Sequence, residues 1–231
     1  MSARLRGRPG AAPDGRAVTR AELARRLRLI VITDDDLARP RPVVDVVAAA
    51  LAAGATAVQI RAKAATAREL LDLGRRVQPL ARGAGALLFV NDRVDVALAL
   101  GADGVHLGPD DLPVASVRAA VPDGFVIGAS ADDPDVARGL VRDGADYIGC
   151  GAVYATSTKS AAGDAIGLDG LDRVARAVDV PVVGIGGVTV ERSAEVATTR
   201  AAGVAVVGAV MGAEDIEAAV RGLLAPWGAR D

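Results

Sequence analysis

From residue 28 onward the chain exchanges two hydrophobic periods over and over. Short runs rich in β-branched residues and leucine give way to stretches in which apolar side chains recur at i, i+3 and i+4. The runs predict eight strands: Leu29–Thr33, Ala57–Arg61, Leu87–Val90, Gly104–Leu107, Val126–Ala129, Tyr147–Gly149, Val182–Ile185 and Val204–Val207. Their apolar residues are continuous rather than alternating, as expected of a sheet covered on both faces. The intervening stretches read as amphipathic helices, for example Val43, Val46, Val47, Ala50 and Leu51 before the second strand and Ile216, Val220, Leu223 and Leu224 after the eighth. Eight such units predict an α/β protein, a (β/α)8 TIM barrel in a single domain, with an open doubly wound sheet as the alternative. In a barrel the active site lies at the C-terminal ends of the strands.

A short signature recurs where helices hand over to strands: Ala53-Gly54-Ala55, Gly101-Ala102-Asp103, Gly144-Ala145-Asp146 and Ala202-Gly203-Val204. Each glycine reads as a left-handed residue just past a helix end, and the repeat is structural rather than chemical. The first 26 residues are Arg-rich and lack a secretory core, so they read as a disordered tail, with a transit-like peptide as the alternative. The barrel domain is expected over residues 27–226 and a short tail over 227–231. The Ala/Val stretch from Val43 is interrupted by Asp45 and Gly54, so no membrane span is expected.

Composition narrows the chemistry. The 231 residues carry 27 basic and 29 acidic side chains, with 51% hydrophobic and only 2% aromatic residues. That balance excludes a disordered or coiled-coil chain and argues against nucleic acid as a partner. Cys150 is the single cysteine, which excludes an internal disulfide, disfavours a Cys/His zinc site and makes a reduced, cytoplasmic setting the expectation. Lysine occurs only at Lys63 and Lys159, asparagine only at Asn91, histidine only at His106, and glutamine only at Gln59 and Gln78. Both lysines, the asparagine and Gln59 fall at predicted strand tops, which points to one site there.

Gln59, Arg61 and Lys63 alternate along the second strand and so point the same way, a fork suited to a polyanion; a rim ion pair is the plainer reading. Asp92 ends the third unit and Asp110-Asp111 the fourth, where carboxylates on adjacent strand tops can share one hard cation such as Mg2+, although both motifs also suit turn caps. Spacing does not choose between Asp110 and Asp111. After the sixth strand a long loop carries Thr156, Thr158 and Lys159, whose hydroxyls and ammonium suit phosphate oxygens as well as solvent. Gly186-Gly187 and Val207-Gly208 let main-chain N–H groups approach a phosphate. Cys150 reads as a small buried residue, and His106, on an apolar strand, as a satisfied core histidine.

Gln59-x-Arg61-x-Lys63, Val90-Asn91-Asp92, His106-Leu107-Gly108-x-x-Asp111, Gly128-x-Ser130, Thr156-x-Thr158-Lys159 and Gly184-Ile185-Gly186-Gly187 stand in an order and spacing that resembles the thiamine-phosphate synthase family, over about residues 28–224. The resemblance implies a (β/α)8 transferase of thiamine biosynthesis that joins 4-amino-5-hydroxymethyl-2-methylpyrimidine diphosphate to a thiazole phosphate, either carboxythiazole or hydroxyethylthiazole phosphate. It implies that Gln59, Arg61, Lys63, Asn91 and Lys159 hold the pyrimidine diphosphate, Asp92 and Asp111 its Mg2+, and Ser130 the reacting diphosphate or pyrimidine. Thr156, Thr158, Gly187, Val207 and Gly208 would receive the thiazole phosphate, the last three through main-chain groups. Arg61, Lys63, Ser130 and Lys159 would act most directly in catalysis. The partners implied are small molecules, and a homo-oligomer is compatible with the residues without being required by them.

Pro109, Asp132 and Ala152 depart from the family pattern, where Gln, His and Pro are usual. The similar thiazole tautomerases depend on a histidine at the position of Asp132 and lack the aspartate pair, so the synthase reading is favoured. A tautomerase-like paralogue and a non-catalytic barrel binding a thiamine precursor are the alternatives.

Overall fold

The computed structural model describes residues 19–156 and 165–228. Eight strands form, β1 (Leu29–Ile32), β2 (Ala57–Ile60), β3 (Leu87–Asn91), β4 (Gly104–Leu107), β5 (Val126–Ser130), β6 (Tyr147–Cys150), β7 (Val182–Ile185) and β8 (Gly203–Val206). All pair in parallel in chain order, and β8 closes onto β1 through Leu29↔Val204 and Val31↔Val206. The sheet is therefore a closed barrel and not the open doubly wound alternative. Helices α1 (Arg20–Arg26), α2 (Asp35–Ala38), α3 (Val43–Ala52), α4 (Ala67–Gly83), α5 (Val94–Leu100), α6 (Val114–Ala120), α7 (Pro134–Arg142), α8 (Gly167–Ala177), α9 (Val190–Val196), α10 (Gly208–Met211) and α11 (Ile216–Leu224) complete the described elements, with a final 3-10 turn at Ala225–Trp227.

The continuous apolar runs are explained by two cores. Alternate strand residues, among them Val31, Val58, Ile60, Val90 and Ile148, face the helices, while Ile30, Ile32, Leu87, Phe89, Tyr147 and Val183 fill the inside. The inside is packed by matching large residues with glycine. A β-carbon at Gly128 would stand 2.2 Å from Tyr147 Cζ, and one at Gly149 would stand 2.8 Å from His106 Cε1. Those glycines give the two rings their room, with the Tyr147 ring centroid 5.4 Å from that of His106 and 5.5 Å from that of Phe89.

The hand-over repeat has a definite job at the N-terminal end of the barrel. Gly54, Gly101 and Gly144 are left-handed, with φ of 105°, 67° and 108°. The polar residue two places on then takes a main-chain N–H of the preceding strand: Thr56 Oγ1 accepts from Leu29, Asp103 from Leu88 and Asp146 from Ile127. Gly203 departs from the expectation. It lies within β8 without a left-handed φ, and its missing side chain instead lets the Leu27 carbonyl pass, since a β-carbon would lie 2.1 Å from that oxygen.

Both expected domain limits move outward. Residues 20–26 are helical, capped by Thr19, whose hydroxyl accepts the Glu22 N–H, and Leu23 and Leu27 join the interior cluster at the closed end. The packed body therefore starts at least at residue 20 rather than 27; residues 1–18 lie outside the described residues. At the other terminus Trp227 is buried and its Nε1–H donates to Ser193 Oγ at 3.0 Å, so it belongs to the barrel and not to a tail. Among the described residues no helix is long and apolar enough to cross a membrane.

Candidate active site at the barrel mouth

The C-terminal ends of β2 to β5 bring seven of the singled-out residues, Gln59, Arg61, Lys63, Asn91, Asp92, Asp111 and Ser130, to one half of the mouth. Thr33, just past β1, locks the position of Arg61: its hydroxyl accepts the Arg61 N–H at 2.8 Å and donates to the Arg61 carbonyl at 3.1 Å. The guanidinium of Arg61 is largely covered, and its Nη1 stands 3.7 Å from Asp34 Oδ2. Asp34 was not among the sequence candidates; it sits at the top of β1 as the N-cap of α2. Lys63 lies two residues further out and is exposed. Gln59 points inward and is 3% exposed, with its side chain hydrogen-bonded to Tyr147. It therefore forms part of the floor, beneath the cations with which it alternates.

Asn91 ends β3, and the chain then turns sharply at Asp92, which takes φ 62° while its N–H donates to the His106 carbonyl at 2.8 Å. Asp92 is the one described non-glycine residue with positive φ, a conformation that aspartate tolerates better than most residues and that concentrates at functional sites. The turn aims its carboxyl at Asp111, to which it is hydrogen-bonded. Burial, then this hydrogen bond and the charge of Asp111, push the Asp92 carboxyl up to about 6, against the lowering influence of Arg61 and Lys63. Asp111 is itself oriented by the Gly108 N–H, which donates to its Oδ2 at 2.6 Å. Asp110 is exposed and has no such place, so geometry makes the choice between neighbouring aspartates that spacing could not.

Two facing carboxylates near Arg61 and Lys63 form a donor set suited to a hard dication. Mg2+ characteristically takes one or two carboxylates and completes its shell with water and substrate phosphate. Among the described residues no group of three or more His, Cys, Asp or Glu side chains converges.

Ser130, at the end of β5, stands beside β4, where its Oγ lies 3.0 Å from His106 Nε2. The other imidazole nitrogen lies 3.0 Å from the Tyr147 hydroxyl, so His106 is satisfied on both sides, as a core histidine should be. Tyr147 is a second residue that motif reasoning overlooked. Cys150 is fully buried, and its thiol is pushed up to about 12 by burial and the Asp132 carboxylate, which makes it an inert packing residue.

The other half of the mouth belongs to β6, β7 and β8. Gly186 and Gly187 take φ of 96° and 64°, and a β-carbon at Gly187 would lie 2.8 Å from the Ala155 carbonyl. The β7 loop is thus pressed against the β6 loop, with Tyr154 N–H donating to the Gly186 carbonyl. Arg192 holds this turn from α9: its Nη1 donates to the Gly187 carbonyl at 2.8 Å while the guanidinium lies 4.5 Å above the Tyr154 ring. Val207 and Gly208 follow β8 and open the short α10, where the first N–H groups of a helix have no partner within it. Thr156 lies on the adjoining β6 loop; Thr158 and Lys159 lie outside the described residues.

The chain is similar to known proteins of one family. The family model for thiamine monophosphate synthase matches residues 29–210. Thiamine-phosphate synthase from Roseiflexus castenholzii is 50% identical over 193 residues, covering 84% of this chain and 85% of that protein. Its namesake from Moorella thermoacetica is 47% identical over 195 residues, covering 84% and 93%. Among solved structures, thiamine phosphate pyrophosphorylase from Pyrococcus furiosus superposes with a TM-score of 0.82 at 42% identity, over 90% of this chain and 98% of that one.

Proposed function

The chain belongs to the thiamine monophosphate synthase family and is a transferase of thiamine biosynthesis, and on that premise we propose how its barrel mouth performs the transfer. The substrates are a hydroxymethylpyrimidine diphosphate and a thiazole phosphate. The C–O bond to diphosphate breaks with its electron pair leaving on oxygen, and the thiazole nitrogen donates its lone pair to the resulting pyrimidine-stabilised cation. With hydroxyethylthiazole phosphate no proton has to move; with carboxythiazole phosphate CO2 also departs and the vacated carbon takes a proton from water. Neither route needs a general base; both need neutralisation of a leaving polyanion and alignment of two reactants.

The half of the mouth at β2 to β5 takes the diphosphate. Arg61, held by Thr33 and Asp34, presents a fixed guanidinium, Lys63 adds a mobile charge at the rim, and Asn91 and Ser130 supply hydrogen bonds. Gln59 supports the pyrimidine from the floor, and the family resemblance assigns Lys159 to the diphosphate as well. Asp92 and Asp111 would hold Mg2+, which when bound would supply neutralising charge to the departing diphosphate. Across the mouth, the Gly187, Val207 and Gly208 main-chain groups and the Thr156 hydroxyl take the thiazole phosphate, to which the resemblance also assigns Thr158. The two anions are thereby kept on opposite sides of the reacting carbon and nitrogen. A chain with one buried thiol and small-molecule substrates fits the cytoplasm.

The contact of Asp92 with Asp111, beneath Arg61, carries this reading, because an isomerase acting on one phosphate has no use for two facing acids beside a cation. Asp132, at the position where the tautomerases place a histidine, is exposed and takes no part. The test is to mix both substrates and Mg2+ with the protein and follow thiamine phosphate by fluorescence after oxidation, with diphosphate measured in parallel. Equal amounts of the two products support the reading; thiazole consumed without diphosphate release contradicts it.

A further inference from the structure

His106, the only histidine of the chain, lies in a hydrogen-bonded line that crosses the barrel interior from β2 to β5. The line runs from the Gln59 side chain to the Tyr147 hydroxyl, from that hydroxyl to His106 Nδ1 at 3.0 Å, and from His106 Nε2 to Ser130 Oγ at 3.0 Å. Tyr147 is fully buried and has one hydrogen to give, either to the Gln59 carbonyl oxygen or to His106 Nδ1. Gln59 favours the ionised phenol, as an amide N–H donor does, and with that N–H on the phenol oxygen His106 Nδ1 accepts the tyrosine hydrogen. A neutral imidazole whose Nδ1 accepts carries its hydrogen on Nε2, so it donates to Ser130 Oγ. With a lone pair of Ser130 engaged from below, the serine hydrogen is turned away from the floor and toward the mouth.

Packing keeps the line from rearranging. Gly128 and Gly149 leave only enough space for the Tyr147 and His106 rings, whose centroids are 5.4 Å apart. The ring of His106 is also tied to the metal-side turn through its own backbone, since its carbonyl accepts the Asp92 N–H.

We propose that His106 is a positioning residue, held as the Nε2–H tautomer by Tyr147 and Gln59, whose task is to present Ser130 as a hydrogen-bond donor to the diphosphate oxygen that departs. The role of Ser130 rests on the transfer reading above; the tautomer does not. The hydroxyl donates where negative charge grows as the C–O bond breaks, so its orientation affects turnover more than binding.

Two measurements on the full-length, tag-free protein test this. The first is 15N spectroscopy of the ring nitrogens at about pH 8, where an ordinary imidazole is neutral. A single histidine makes assignment unnecessary. The expected spectrum shows a protonated Nε2 and a bare Nδ1, passing to a mixture of tautomers in Tyr147→Phe. A protonated Nδ1, or a wild-type ring already mixed, overturns the proposal whether or not the enzyme makes thiamine phosphate. The second is a double-mutant cycle. His106→Phe should lower kcat about tenfold, the scale of one hydrogen bond, with KM for the thiazole phosphate unchanged. His106→Gln, which keeps an N–H near the Nε2 position, should recover most of that loss. In a Ser130→Ala background His106→Phe should change kcat less than about twofold; the same tenfold loss there would mean His106 acts only on the fold and would overturn the proposal. Should His106→Phe not fold, Tyr147→Phe, which removes only an oxygen, takes its place in the cycle with the same criterion.

Discussion

At the closed end of the barrel, Asp103 accepts the Leu88 N–H at 2.8 Å, and Asp146 accepts the Ile127 N–H at 2.7 Å while pairing with Arg118. At the open end, Asp111 is oriented by one N–H but faces Asp92, and Asp92 reaches it from a left-handed turn. Burial raises the Asp103 and Asp92 carboxyls alike, so burial does not separate the two ends. The difference lies in the company each acid keeps. A carboxylate given backbone donors joins strands together; one set against a second carboxylate disfavours the fold while both are charged, a cost that the proposed cation would offset.

The contrast is broken most sharply by exchanging the two roles. Asp92→Asn keeps the left-handed turn, since asparagine also tolerates positive φ, and should lower kcat/KM for thiamine phosphate formation about 100-fold or more in steady-state assays with Mg2+. Asp146→Ala should do the reverse: unfolding in urea should show a loss of about 1–3 kcal/mol from the unsatisfied Ile127 N–H and the lost ion pair with Arg118, with kcat per folded molecule unchanged.

A third test uses the sign of the Asp92 shift. Because the folded carboxyl titrates near 6 and the unfolded one near 3.8, the native state binds the extra proton between those values. Stability in chelator should therefore be greatest at the acid side of this window and fall as pH rises through about 6. Asp92→Asn should flatten that fall and raise the melting temperature at pH 7 by a few degrees, read by calorimetry. Smallest of all, Arg221→Ala removes an exposed i,i+4 pair with Glu217 and should change stability by no more than about 0.5 kcal/mol. A larger effect would mean that ion pairs matter by their number rather than by their surroundings.

The barrel was legible because its signal is periodic and repeated. Eight apolar runs with helical spacing between them leave few architectures open, and their observed limits differ from the expected ones by a residue or so at each end. The segment before β1 was misread since Leu23 and Leu27 stand among arginines and give no period, although Thr19 with Glu22 three residues later is a helix-start pattern. At the mouth, Arg61, Asn91 and Asp92 could be listed from their places after strands, because a βα loop always returns to the same rim; Ser130 came only from the family resemblance. What the list could not hold was relative position across strands. Asp111 rather than Asp110, the Asp34 partner of Arg61 and the Tyr147 contact of His106 all join residues distant in sequence, with separations set by register around the barrel. Gly128 illustrates the same limit: its place beside Ser130 suggested a site motif, and its physical reason is the Tyr147 ring on the neighbouring strand.

The most direct test of the opposed-acid site is thiamine phosphate synthesis by the Asp92→Asn, Asp111→Asn double variant, assayed against wild type with Mg2+ and with chelator. The account predicts that wild type is active with Mg2+ and silent in chelator, and that the double variant is folded yet near the chelator level in both. Synthesis by the double variant at the wild-type rate, or wild-type synthesis unaffected by chelator, would contradict it.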